Sequence, residues 1–259
     1  KDVFKMLDII LSGCNGRMGH ALEAQCSTDT ELNIVAGFDI LGTSERNFPI
    51  FAVPSEFSGS ADVVVDFSHP AALSSLLSVC LQRRLPIVLA TTGYSQAQLA
   101  EIEDASQSIP IFRSGNFSLG VNVLLELVRQ AGAMLGEDFD VEIIERHHSK
   151  KVDAPSGTAL MLVEALAVSL PYEPEYVYDR HMVRRPREHR EIGISSVRGG
   201  TIAGDHEVLF AGKDEIIELR HCAQSREVFA AGALKAARYL AGRDAPGLYG
   251  MRDLTNSLL

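Results

Sequence analysis

Through the first 117 residues, short apolar runs alternate with helix-like segments, and this alternation leaves few folds open to the chain. Residues 6–11, 33–38, 63–67, 86–90 and 109–112 read as strands. Between them, 17–26, a stretch from Pro70 to about Arg83, and a segment to about Ser106 read as helices, the last opened by a Ser95–Gln98 capping box. Runs such as Val63-Val64-Val65 are apolar without alternation, as strands covered on both faces must be. A parallel α/β sheet with helices on either side is the expected result.

After Asn116 the pattern changes. Val121, Leu124, Leu125 and Val128 fall at i, i+3, i+4 and i+7, which predicts one amphipathic helix. A strand beginning at Val141 and a helix over 156–170 follow, then a charged stretch, 172–190, expected to be a loop. Strand-like runs at 192–197, 207–211 and 215–221 have no helix between them and predict a second, mixed or antiparallel sheet. A helix over 227–240 stops at Gly242.

Bulk properties narrow the function. With 259 residues the chain has material for one large domain or two modest ones. A net charge of −10 argues against nucleic acid as the main partner, since a phosphate backbone demands a basic face. No apolar run reaches membrane-spanning length, and residues 1–6 lack the apolar core of a signal peptide. Cys14, Cys26, Cys80 and Cys222 form no CxxC pair and fit a reduced cytoplasmic compartment.

Two stretches carry chemistry. The first, Gly13-Cys14-Asn15-Gly16-Arg17-Met18-Gly19, lies between the first strand and first helix, where glycines let a backbone approach a pyrophosphate. Asp39 closes the second strand at the place where a ribose hydroxyl is read. Its neighbours Ile40 and Leu41 offer no cation for a 2′-phosphate, which favours NADH, although Arg17 leaves NADPH open. Ala90-Thr91-Thr92-Gly93 and Ser114-Gly115-Asn116-Phe117 follow later strands, at the end of the sheet where ligands gather. The bland alternatives are ordinary turns, with Asn116 or Ser118 capping the next helix.

The second stretch runs from Val141 to Ala159. It reads as a strand ending in His147, His148, Lys150 and Lys151, then a helix opened by Ser156-Gly157-Thr158. Histidine and lysine side chains hold and move protons near neutral pH. A helix start offers free N–H groups and a positive dipole end to an anion. Asp153 and Ser156 serve equally well as caps of that helix. A metal site is not expected: adjacent residues of an extended chain point to opposite sides, and two lysines repel a cation.

Taken together these residues resemble the dihydrodipicolinate reductase (4-hydroxy-tetrahydrodipicolinate reductase) family of lysine biosynthesis. The family signature corresponds to Glu145-Arg-His147-His148, Lys151 and Asp153-Ala-Pro-Ser156-Gly157-Thr158-Ala159. Similarity extends to residues 65–68, 116–122, 198–206 and 250–253. The resemblance implies a Rossmann dinucleotide-binding domain, residues 1–117 and 227–259, and an α+β substrate and oligomerisation domain, residues 118–226. The mixed sheet of the second would build a homotetramer.

Site roles follow from the same resemblance. His147 corresponds to the general acid/base and Lys151 to the proton donor. His148, Lys151, Ser156, Gly157 and Thr158 correspond to groups holding the two carboxylates of the substrate. Gly13 through Met18, Asp39, Ala90, Thr91, Thr92 and Ser114 through Phe117 correspond to cofactor contacts. Three positions depart from the family pattern: Ala90 replaces a glycine, Ile40 replaces a frequent arginine, and the segment from Asp39 to Val63 is compact. The implied reaction is hydride transfer from NADH or NADPH to a dicarboxylate ring, followed by protonation, with Lys151 expected close to His147. Two rival readings stand beside it. A semialdehyde or sugar dehydrogenase is one, the former requiring a nucleophilic cysteine in a context none of the four offers. The other is a nicotinamide sensor, which has no use for proton donors.

Overall fold

The computed structural model describes residues 6–42, 46–182 and 184–258, so most of the 1–6 segment weighed as a signal peptide lies outside the described residues. In chain order the elements begin β1 (Leu7–Ser12), α1 (Arg17–Thr28), β2 (Leu32–Phe38), β3 (Ile50–Phe51), β4 (Val63–Asp66), α2 (Leu73–Arg83) and β5 (Ile87–Leu89). Next come α3 (Gln96–Ser106), β6 (Pro110–Arg113), α4 (Leu119–Leu135), β7 (Asp140–His147), α5 (Gly157–Ala167) and β8 (Glu175–Val177). The chain continues with β9 (Glu191–Arg198), β10 (Gly204–Ala211), β11 (Ile216–Ala223), α6 (Glu227–Ala241), β12 (Gly247–Tyr249) and α7 (Met251–Asn256).

Two compact units result, one from Lys1–Ser118 with Glu227–Leu259 and one from Leu119–Arg226. The first holds a seven-stranded sheet ordered β12-β6-β5-β4-β1-β2-β3, parallel throughout. This is a Rossmann-like arrangement: the chain steps outward from β1 to β2 on one side and to β4 on the other, opening a crevice at the strand ends. Successive residues of a strand face opposite ways, and the packing shows it. Val63 and Val65 join Ile9, Leu11 and the Ala230, Ala233 and Ala237 face of α6. Val64 joins Ile10, Leu73, Leu76 and Ile102 on the other side. Small residues let α6 lie close: a Cβ at Gly232 would collide with the Phe117 carbonyl oxygen.

The second unit holds a mixed sheet ordered β11-β10-β7-β9-β8. β7 runs antiparallel to β10 and parallel to β9. Val121, Leu124, Leu125 and Val128 of α4 pack with Leu162 and Leu166 of α5 against Val141, Ile143, Ile192, Ile194, Val208 and Phe210. The stripe at helical spacing is therefore core.

Some elements differ from expectation. The Pro70 helix begins as a 3-10 turn, Pro70–Ala72, because the His69 ring accepts the Ala71 N–H at 3.1 Å and α2 starts only at Leu73. The helix expected to reach 170 ends at Ala167. Within the charged stretch, β8 pairs with β9, and Arg180, Arg185 and Arg187 bind Glu142, Glu191 and Asp140. Ion pairing, not apolar periodicity, holds that segment. The capping box is present as read, with Ser95 N–H donating to Gln98 Oε1 at 3.0 Å.

Candidate active site

In the first unit the glycine loop turns tightly between β1 and α1. Gly13 has φ of 75°, and a Cβ there would lie 2.7 Å from the Phe67 carbonyl oxygen. At Gly19 a Cβ would run into the carbonyl oxygens of Gly13 and Cys14, so the turn admits no side chain. Gly16 caps α1 without any side-chain acceptor, which leaves the first-turn amides suited to an anion. The Asp39 carboxylate accepts the Asn15 and Leu41 amides at 2.9 and 3.0 Å, tying the end of β2 to this loop. Cys14 is fully buried and offers only backbone.

Arg46 was not anticipated from the sequence, because nothing near it in the chain marks it. Its guanidinium donates to the Cys14 carbonyl at 3.1 Å and the Asn15 side chain at 3.2 Å, and it pairs with Glu23. Further along the strand ends lies an open crevice of about 460 Å³ lined by Phe67, Ser68, His69, Pro70, Ala90, Thr91, Thr92 and Gly93. Buried Asp66 organises its floor, accepting the hydroxyl protons of Thr91 (2.7 Å) and Ser68 (2.5 Å). Thr91 therefore faces any ligand with its hydroxyl proton already committed. The Ser114 hydroxyl donates to the Asn116 carbonyl at 2.8 Å and accepts the Asn116 amide at 3.1 Å, and the Asn116 side chain accepts the Ser118 amide at 2.8 Å, just ahead of α4. Phe117 packs against Phe67 and Phe112 in the core.

The second unit gathers the histidine–lysine run. Strand alternation puts Glu145 and His147 on one face of β7, and the Glu145 carboxylate meets His147 Nδ1 at 2.6 Å. Arg198, opposite His147 in the β7–β9 register, grips Glu145 with two bonds of 2.8 and 2.7 Å. The Ser156 amide donates to the same carboxylate at 3.2 Å. His206, opposite Glu145 on β10, lies 2.9 Å from Ser156 Oγ and 5.0 Å from the His147 ring. Ser156 also caps α5 by accepting the Ala159 amide at 3.2 Å. Glu145 is completely buried.

This arrangement fixes a proton map. A carboxylate only accepts, so His147 Nδ1 carries a hydrogen and Nε2 is the atom left to exchange protons. His148 turns to the other side, where Arg226 approaches its Nε2 at 3.2 Å. The Lys151 ammonium pairs with the Asp153 carboxylate at 2.8 Å. Gly157 opens onto free space at the start of α5. Among the described residues no group of three potential metal ligands converges.

Two buried groups set an acid response. Burial alone would raise Glu145, but donors from Arg198, His147 and Ser196 outweigh it and hold the carboxyl at about 2. Burial, with His147 next to it, pushes His206 down to about 4. In both cases the unfolded chain binds a proton that the folded one refuses, so stability falls as pH falls. The His206 contribution, roughly 3 kcal/mol, is present above about 6.5 and lost between there and about 4. The Glu145 contribution is present above about 4.5 and lost toward 2. Thermal midpoints measured from pH 7 to 4 are expected to decline, and His206→Gln to flatten that decline; an unchanged slope in the variant would overturn the assignment.

The family model described as dihydrodipicolinate reductase, N-terminus, matches residues 7–117, and the one described as dihydrodipicolinate reductase, C-terminus, matches residues 120–255. A 4-hydroxy-tetrahydrodipicolinate reductase of Caldanaerobacter subterraneus is 49% identical over 249 residues, covering 96% of this chain and 98% of that protein. One from Clostridium tetani is 48% identical over 257 residues, covering 99% and 100%. Among solved structures, a dipicolinate-bound dihydrodipicolinate reductase from Paenisporosarcina shares the fold with a TM-score of 0.80 at 24% identity, covering 96% of this chain and 99% of that one. A myo-inositol dehydrogenase from Corynebacterium glutamicum shares it more loosely, with a TM-score of 0.59 at 17% identity, covering 98% and 93%.

Proposed function

The chain belongs to the dihydrodipicolinate reductase family, and from that premise we propose that it reduces 4-hydroxy-tetrahydrodipicolinate to tetrahydrodipicolinate with a nicotinamide cofactor, in diaminopimelate and lysine biosynthesis. The observation that carries the reading is the His147 ring held at Nδ1 by a buried carboxylate, in the same unit as a helix start suited to anions. The unit formed by residues 1–118 and 227–259 is the dinucleotide-binding domain, and that formed by 119–226 is the substrate domain.

The glycine turn, the uncapped start of α1 and the strand-end crevice suit a dinucleotide. When bound, the nicotinamide supplies the hydride. The chain's own residues do the rest. Gly13 to Met18 hold the pyrophosphate by backbone, Asp39 the ribose, and Ala90 to Thr92 with Ser114 to Phe117 the remainder of the cofactor. His148, Lys151, Ser156, Gly157 and Thr158 bind the carboxylates of the ring and fix its orientation. His147 moves a proton at Nε2, and Lys151 delivers one to the reduced ring once Asp153 releases its ammonium.

NADH is the favoured cofactor, because the carboxylate of Asp39 is followed by exposed Ile40 and Leu41 with no cation. Arg17 in the glycine loop and Arg46, with which Glu23 already pairs, are the guanidiniums at hand for a 2′-phosphate. With substrate formed in situ from pyruvate and aspartate semialdehyde, oxidation of NADH is expected to exceed that of NADPH several-fold in kcat/KM. Arg46→Ala is expected to widen that ratio. Folded protein that binds NADH but oxidises neither cofactor would sink the assignment. Homotetramer assembly through the second sheet, whose β11 leaves Ile216 and Ile217 exposed, and a cytoplasmic location, supported by four free cysteines, complete the reading. Among the described residues no helix is long and apolar enough to cross a membrane.

A further inference from the structure

We propose that His206 makes the Ser156 hydroxyl an obligatory donor to an anion, so that a residue outside the substrate contacts decides how tightly a ring carboxylate binds at the start of α5. This rests on the reading of Ser156 as a carboxylate-binding group and adds what gives it that capacity.

Counting hydrogens decides which way the hydroxyl points. A serine hydroxyl accepts at two lone pairs and donates one proton. One lone pair of Ser156 Oγ takes the Ala159 amide, 3.2 Å away, as the cap of α5. The Ser156 amide is already given to Glu145, so the hydroxyl proton is the last donor the residue has. His206 Nε2 sits 2.9 Å from Oγ and settles where that proton goes. If the ring carried its hydrogen on Nδ1, the serine would donate to Nε2 and turn a bare lone pair toward an arriving carboxylate. If the hydrogen is on Nε2, the ring donates, both lone pairs of Oγ are filled, and the proton must point elsewhere.

The surroundings select the second arrangement. His206 Nδ1 is buried and has no hydrogen-bond partner among the described residues. An N–H buried without an acceptor is rarer and costlier than a bare acceptor nitrogen, so the hydrogen belongs on Nε2. A doubly protonated ring would place a hydrogen on Nδ1 with the same penalty. The ring has little freedom to turn away: it lies opposite Glu145 in the sheet, edge-on to His147, and is 4% exposed. His206 is thus a positioning residue, acting on the ligand only through Ser156.

The test is binding of pyridine-2,6-dicarboxylate to the full chain with NADH present, by calorimetry. Ser156→Ala is expected to weaken it about tenfold. His206→Leu is expected to do the same with NADH affinity unchanged, while His206→Gln, whose amide N–H replaces that of Nε2, stays close to wild type. The Ser156→Ala, His206→Leu double variant should bind no worse than either single one. Nitrogen NMR of histidine-labelled wild-type protein should show His206 hydrogenated at Nε2, a reading that survives even if His206→Leu does not fold. If Ser156→Ala leaves binding intact, the underlying reading of Ser156 fails. If Ser156→Ala weakens binding but His206→Leu does not, if the losses add, or if the hydrogen is on Nδ1, the present proposal is overturned.

Discussion

His147→Ala is expected to lower kcat by roughly a thousandfold, within the range a positioned proton-transfer group supplies, while NADH binding is retained. The expectation follows from three features. Glu145 fixes the hydrogen of the ring on Nδ1, at 2.6 Å, and leaves Nε2 to exchange. Next to Nε2 stands Gly204, where a Cβ would approach to 3.2 Å, so glycine at this position keeps a side chain off that nitrogen. The ring itself is held edge-on by His206 at 5.0 Å. Lys151→Ala should give a loss of similar size, whereas Asp153→Asn, which removes only the carboxylate partner of Lys151, should cost far less. Single-turnover kinetics and a fluorescence titration of NADH separate chemistry from binding. Equal loss of NADH affinity, or an unchanged kcat, would remove His147 from the proton path.

Arg198→Leu is expected to destabilise the protein by about 3–5 kcal/mol at neutral pH. Glu145 is wholly buried, and Arg198 provides two of the bonds that keep it ionised. Without the guanidinium a carboxylate remains in the interior with only His147, Ser156 and Ser196 around it. Removing one partner of a buried pair costs more than removing both, because the survivor keeps its desolvation penalty. The double variant Arg198→Leu, Glu145→Leu should therefore recover part of the loss. The penalty of the single variant should shrink as pH falls and Glu145 takes up a proton. Urea unfolding at pH 7 and pH 5 checks both statements; a change below about 1 kcal/mol would mean that water, not Arg198, solvates the carboxylate.

The parallel sheet was legible in the sequence because its central strands are buried on both faces. Val63, Val64 and Val65 are each fully buried, and an unbroken β-branched run bounded by polar residues suits a strand covered on both sides far better than a surface helix. Edge elements gave no comparable signal. β3 spans Ile50–Phe51 and β12 spans Gly247–Tyr249, lengths at which a strand is defined by its neighbour instead of its own composition. β8 was hidden in an arginine-rich stretch whose order comes from pairing with Glu142 and Glu191. The site divides the same way. His147, Lys151 and Ser156 are close in sequence and announced themselves. Arg198 and His206 come from strands 50 or more positions away and reach Glu145 and Ser156 only through the registers of β9 and β10. Even Glu145, two positions from His147, was visible as part of a signature but not as the group that orients the ring. Family resemblance named the neighbourhood; pairing geometry supplied the division of labour.

The unit that carries the glycine loop is assembled from two stretches of chain, with Leu119–Arg226 inserted between them. Its core is closed by Ala230, Ala233, Ala237 and Leu240 of α6 and by Met251 and Leu254 of α7. During synthesis, then, the portion made first is finished last. β1, β4, β5 and β6 must wait on the ribosome with one apolar face uncovered until the whole insertion has emerged, while the insertion meets all its own partners at once. The vulnerable interval for aggregation or chaperone capture falls on the older half of the nascent chain, and a premature stop anywhere before Glu227 strands that half without its closing helix.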